Sequence, residues 1–198
     1  MEMWAYVFWR LSPRALTEAG TPGKLDFKTI GLRWVGKLPS NFDYGAEIAG
    51  QTGALGADRI GAWAGHWLLG HMAARLSYKP RLIAEYNYAS GDNDPRNGKR
   101  GAFDQLYPTP HDKYGLADQI GWRNIHHLRA GIEFKPRPKW MITSNYHSFW
   151  LASPGDALYA ASGAAVARSA TGSAGSFPGA NGLWKRASRC NSPSSRKA

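Results

Sequence analysis

The sequence predicts an all-β chain, an antiparallel meander of about seven strands of the kind that builds transmembrane β-barrels. Three observations carry that expectation. Apolar and polar residues alternate with period two in stretch after stretch, the signature of strands with one apolar and one polar face. No stretch shows a convincing amphipathic helical pattern. The connections between the alternating stretches differ in length in a way that depends on which end of the strands they join.

The first stretch, 2–11, aligns Trp4, Tyr6 and Phe8 on one face. Residues 25–36 form the second. The third, 43–52, sets Asp43, Glu47 and Gln51 against Tyr44, Ala46 and Ile48. The fourth is 59–76. Its most apolar part, Ala62 to Ala74, is broken by His66 and His71 and falls short of the ~18 apolar residues of a membrane-spanning helix. In the fifth, 81–88, Leu82, Ala84, Tyr86 and Tyr88 oppose Arg81, Glu85 and Asn87. In the sixth, 128–135, Leu128, Ala130, Ile132 and Phe134 oppose Arg129, Glu133 and Lys135. The seventh is 139–151.

Between them, the connections run long (12–23), short (37–41), medium (53–58), short (77–80), very long (91–121), short (136–138) and very long (153–175). The short ones carry turn residues, as in Leu38-Pro39-Ser40-Asn41 and Pro136-Arg137-Pro138. Short turns at one end and long loops at the other are what outer-membrane barrels show, and strands of about ten residues suffice to cross a bilayer at a tilt. Trp9, Tyr88, Trp122, Trp140 and Trp150 lie near strand ends, where interfacial aromatic girdles form. The competing architecture is a soluble all-β carbohydrate-binding module with Trp63 and Trp67 as sugar platforms. The charge on one face of nearly every strand disfavours it, because such a face makes a poor core.

The chain has 198 residues and a formal net charge of +11. Residues 183–198 hold Lys185, Arg186, Arg189, Arg196 and Lys197 and no acid. The remaining 182 residues carry 20 basic and 14 acidic side chains, or +6. A dispersed +6 gives little support to nucleic acid as a partner. One cysteine, Cys190, excludes a disulfide framework and a cysteine zinc cage.

Catalytic signatures are missing: no Gly-x-Ser-x-Gly, no His-Glu-x-x-His and no phosphate loop. Glu85 with Glu133 could imitate a glycosidase pair, but both sit beside arginines on flat strands, where charge pairing is the commoner arrangement. The loop at Asp92-Asn93-Asp94 is no EF-hand, since its sixth and twelfth positions are Asn97 and Phe103 rather than Gly and Glu. His126 and His127 are adjacent and so face opposite sides, as do His66 and His71. The expectation is therefore no enzyme, no metal and no cofactor.

Several segments resemble the alginate-export family of Gram-negative outer-membrane barrels. They are Tyr86-Asn87-Tyr88-Ala89-Ser90-Gly91-Asp92-Asn93-Asp94-Pro95 followed by Gly98-Lys99-Arg100-Gly101-Ala102-Phe103-Asp104-Gln105-Leu106-Tyr107-Pro108-Thr109. Next, in order, come Asp118-Gln119-Ile120-Gly121-Trp122-Arg123-Asn124 and Tyr146-His147-Ser148-Phe149-Trp150-Leu151-Ala152-Ser153-Pro154, then Asp156-Ala157-Leu158-Tyr159. The resemblance spans about residues 1–162, more weakly before residue 40. It implies a large barrel of roughly sixteen to eighteen strands in the outer membrane, passing an anionic polysaccharide such as alginate, or other anionic solutes. Outer-membrane lipid and periplasmic secretion components are the implied partners. Its motif loops contribute Asp92, Asp94, Phe103, Asp104 and Asp156. Seven strands are too few for such a barrel, so the expectation is a fragment lacking N-terminal strands and a signal peptide.

On this reading residues 1–175 are a partial barrel domain and 176–198 a basic low-complexity tail. A frameshift is a second account of the tail. With one permitted codon choice from Leu183 onward, reading shifted by two bases gives the alternating Leu-Glu-Ala-Ser-Val-Ala-Val-Gln-Leu-Ser-Lys. An anion path needs luminal cations, with acids and hydrogen-bonding groups nearby to keep binding weak. The polar-face candidates are Arg33, Arg59, Arg81, Glu85, Asn87, Arg129, Glu133, Asn145 and His147.

Overall fold

The structure is a computed structural model. It describes residues 1–17, 20–94, 96–108, 114 and 118–167, and the backbone of 185–191. The main strands are β1 (Glu2–Leu16), β2 (Pro22–Leu38), β3 (Phe42–Leu55), β4 (Asp58–Met72), β5 (Arg81–Ala89), β7 (Ile125–Arg137) and β8 (Trp140–Leu151). Short strands are β6 (Lys99–Arg100), β9 (Leu158–Tyr159) and β10 (Ala165–Ala167), and β11 is Lys185–Asn191. No described residue is helical, and no helix is long and apolar enough to cross a membrane. The order β1-β2-β3-β4-β5-β7-β8-β11 is an antiparallel meander, with β6 alongside β4 in parallel and β9 paired with β10. The all-β meander expected from the periodicity is the fold observed.

The seven long strands match the seven alternating stretches, but most run further. β1 continues through Pro13 to Leu16 by way of a register shift between Ser12 and Ala15. Proline has no N–H to give a ladder, and a bulge is where a strand accommodates it. β3 and β4 likewise run up to a tight turn at Gly56-Ala57, with Gly56 at φ +60°. The two connections expected to be long and medium at this end, 12–23 and 53–58, are therefore short. The sorting of loops by end rests on the 90–124 connection and on the segment after β8. At the opposite end two turns are tight, with left-handed Ser40 and Asn41 (φ 59° and 63°) closing β2 onto β3 and Pro138-Lys139 joining β7 to β8. The strand expected over 59–76 stops at Met72, so the connection expected to be short at 77–80 runs over 73–80. Consecutive left-handed residues match the twist of the strands they join.

Register fixes the two faces. One row reads Arg33↔Glu47↔His66↔Asn87↔His127↔Phe149 across β2, β3, β4, β5, β7 and β8. The neighbouring outward row reads Leu32↔Ile48↔Gly65↔Tyr88↔His126↔Trp150. The outward face exposes Val7, Ile30, Leu32, Ile48, Trp63, Leu69, Leu82 and Leu128. So many large apolar side chains on one sheet face belong against lipid rather than water. Trp9, Tyr88, Trp140 and Trp150 stand on this face. Trp122 does not; it packs inward on Phe103 (5.8 Å between rings).

The buried core lies on the other face, at the end of the long connections. Ala49, Ala62, Ala64, Ala89, Ile125 and Phe149 of the strands meet Phe103, Tyr114 and Ile120 of the 90–124 connection. A second cluster, Leu25, Phe27, Leu55 and Ile60, has Leu106 packed on it. The long connection thus folds back over the inner face instead of projecting away from the sheet.

Candidate functional site

The inner face has two zones. Toward the tight turns the inward positions are Arg33, Asp43, Glu47, His66, Arg81, Glu85, Arg129, Glu133 and Asn145. Toward the long connections alanine and large apolar residues predominate, with Thr29, Gln51 and His127 buried among them. Eight of the nine residues expected on the path share this inner face: Arg33, Arg81, Glu85, Asn87, Arg129, Glu133, Asn145 and His147. Arg59 stands apart, because its parity is that of Trp63 and the outward face.

The charges form a continuous paired ladder. Arg81 Nη2 reaches Asp43 at 2.6 Å across the intervening strand β4, and its Nη1 lies 3.4 Å from Glu133. The Arg81–Asp43 pair passes directly over Gly70, where a Cβ would collide with both side chains. Arg129 pairs with Glu85, with Nε 2.7 Å from Oε2. Glu85 is only 5% exposed, and this guanidinium is the ion-pair partner that offsets the burial of its carboxylate. Arg33 is 3.8 Å from Glu47, which also accepts the Tyr6 hydroxyl at 2.6 Å. Arg33 remains 56% exposed. The glycosidase-like pair of Glu85 and Glu133 dissolves into two separate arginine partnerships.

Next to the ladder lies a chain of side-chain hydrogen bonds. The Asn87 amide donates to Glu85 Oε1 (2.7 Å) and meets His127 Nδ1 (2.8 Å), while its oxygen meets His66 Nδ1 (2.8 Å). An amide nitrogen only donates, so His127 Nδ1 is the acceptor and its Nε2 carries the proton toward His147 Nδ1 at 2.9 Å. Tyr114, from the long connection, packs edge-on against His127 and Phe149. Burial, and then the Glu85 charge, push the Tyr114 phenol well above its ordinary range. It stays a neutral, apolar-faced plug on the histidine. On the outward face His126 pairs with Tyr86 (2.7 Å), as adjacent strand positions must diverge.

The motif loop is built to hold its shape. Asp92 accepts the backbone N–H of Asp94 on one oxygen (2.8 Å) and of Gly101 on the other (2.6 Å). Asp156 accepts the Asp92 N–H (2.9 Å) and the Tyr159 hydroxyl (2.7 Å), tying the two long connections together. Among the described residues no three His, Cys, Asp or Glu side chains converge as metal ligands. Asp94 caps the N–H of Arg96 at 3.0 Å.

Phe103 and Asp104 anchor the infolded stretch. Phe103 fills the space left by four alanines. Asp104 pairs with Arg10 (3.0 and 3.1 Å) and more distantly with Arg100 (3.8 Å). The buried Gln51 side chain bonds the Asp104 backbone twice, accepting its N–H at 2.8 Å and donating to its C=O at 2.6 Å. Gln51 and Arg10 were not among the expected path residues. The signal for the infolding was present in Ala49, Ala62, Ala64 and Ala89: four small apolar residues on an otherwise charged face mark a surface that something covers.

The division at residue 175 lies outside the described residues. Within the expected tail, residues 185–191 run antiparallel to β8, Lys185 opposite His147 and Asn191 opposite Met141.

The family model described as alginate export matches residues 5–182. No curated protein and no solved structure matches the chain. That family consists of transport channels of the Gram-negative outer membrane rather than of enzymes, and an apolar outward face around a charged inner one is what such a channel wall requires. With nine-tenths of its length matched and its sheet built in this way, the chain belongs to the alginate-export family.

Proposed function

We propose that the chain forms part of the wall of a passive outer-membrane conduit, along whose charged face an anionic polysaccharide of the alginate type, or a smaller anionic solute, moves. The observation that carries this reading is the paired ladder itself: Arg33, Arg81 and Arg129 each already hold a carboxylate. A uronate carboxylate entering the path exchanges with Glu47 or Asp43 for the same guanidinium fork, so each contact forms and breaks at little net cost. Transit needs that balance, since tight single-site binding would stall the chain. Nothing in the sequence binds a nucleotide, so the driving force comes from elsewhere, through periplasmic secretion partners and the concentration gradient.

The path runs along the inner face past Arg33 and the charge ladder, and is narrowed where the 90–124 connection folds inward. Asn87 (0% exposed) and His147 (7% exposed) are buried in the wall rather than open to the path. Outer-membrane lipid is the partner of the opposite face. The soluble carbohydrate-binding reading relied on Trp63 and Trp67, which point to that apolar face among Ile48, Leu69 and Leu82.

Reconstitution of the full chain into lipid vesicles tests the proposal. The expected result is that the chain partitions into the bilayer and binds short oligouronates there, with binding weakened by salt and reduced in Arg33→Gln. A chain that stays soluble without detergent and binds no oligouronate would overturn it.

A further inference from the structure

The first strand carries an inward row that the charge ladder does not use: Trp4, Tyr6 and Phe8, at successive inward positions of β1. Their face is fixed by contact, because Tyr6 bonds Glu47 and the next inward residue, Arg10, bonds Asp104. Trp4 is 46% exposed and Phe8 53% exposed. Large aromatics left open on the water-lined side of a channel are out of place unless a ligand covers them.

We propose that Trp4, Tyr6 and Phe8 form a stacking track for the pyranose rings of the polysaccharide, running parallel to the arginine ladder. This deepens the conduit reading and rests on it. A pyranose presents a flat face of C–H bonds with slightly positive hydrogens, which fits the negative face of an aromatic ring. Positions i and i+2 of a strand are roughly 6.6–6.8 Å apart, so three rings in a row offer a continuous surface along the direction of travel.

Two details orient the rings for this task. Tyr6 lies flat across the backbone of β2 at its cross-strand partner Gly31, where any Cβ would strike the ring. A ring pressed flat on the wall turns its other face to the lumen. Tyr6 and Phe8 stand 5.0 Å apart with a 39° tilt, close enough to act as one surface. The Arg33 guanidinium lies 5.9 Å from the centre of the Trp4 ring. Glu47 links the two systems by holding both Tyr6 and Arg33. A uronate residue stacked on Trp4 therefore has a cation beside it for its carboxylate, with Glu47 as the group it displaces.

The test is equilibrium binding of short 1,4-linked oligouronates, and of a neutral 1,4-linked oligosaccharide of equal length, to the full chain in detergent. Trp4→Leu and Phe8→Leu keep apolar bulk but remove the ring faces, and far-UV circular dichroism checks that the sheet persists. Each is expected to weaken both ligands about tenfold, with no change in salt dependence. Arg33→Gln is expected to weaken the oligouronate alone and flatten its salt dependence. Trp4→Tyr restores a ring and is expected to restore binding; Gly31→Val, which lifts Tyr6 off the wall, is expected to weaken it. Oligouronate binding that is untouched by both leucine variants would overturn the track while leaving the conduit reading standing. Failure of the native chain to bind either oligosaccharide would overturn both.

Discussion

Arg129 and Glu85 are the residue pair on which the inner wall most depends. Removing the guanidinium in Arg129→Gln strands a buried carboxylate, at a cost of about 3–5 kcal/mol. The expected outcome is a lowered denaturant midpoint in detergent. The double variant with Glu85→Gln is expected to recover most of the loss, because two neutral amides leave no buried charge. Gly70→Val makes a separate point. It pushes Arg81 and Asp43 apart without replacing either, so the expected result is the same loss of stability as Asp43→Asn. Legibility at this scale was uneven. Strand parity alone placed Arg33, Arg81, Glu85, Arg129 and Glu133 together, because a period of two fixes a face once one residue is assigned. Arg59 shows what that logic excludes: it lies one residue into β4 beside a turn, and counting by twos to Trp63 puts it on the outward face.

Element by element, the infolded connection is the feature with the most consequence. Phe103→Ala removes the side chain that fills the alanine-lined space, at about 3–5 kcal/mol for a buried phenylalanine. Gln51→Leu leaves the Asp104 backbone groups without their partners, at about 1–3 kcal/mol. Both variants are expected to speed trypsin cleavage around Arg96, Lys99 and Arg100 relative to the native chain. Unchanged cleavage would mean that the connection is held by its ties to Asp156 and Ser153 instead. The strands themselves were readable from alternation, and the turn at Ser40-Asn41 from its residues. The lengths of the connections were not. Pro13, Gly53 and Gly56 look like loop residues, yet a bulge and a tight turn keep them in or beside the ladder. The fold-back of the long connection depends on packing between residues more than fifty positions apart, as between Ala49 and Phe103; the alanines mark a covered surface, but no local pattern says which segment covers it.

For the molecule as a whole, the account divides one sheet into a lipid face and a water face. Ile48→Arg, near the middle of β3, is expected to cost about 2–4 kcal/mol of stability in a bilayer, whereas a charge introduced on the inner face at Gly45 costs far less. Adjacent residues with opposite sensitivity are characteristic of a membrane strand and foreign to a soluble sandwich, whose inner face is the intolerant one. A nitroxide scan of positions 44–48 in β3, on a Cys190→Ser background in outer-membrane lipid, measures that division directly. The account predicts that Gly45 and Glu47 are reached by a water-soluble paramagnetic reagent and Ala46 and Ile48 by oxygen dissolved in the lipid, alternating residue by residue. Uniform accessibility along the strand, or the opposite alternation, would contradict it.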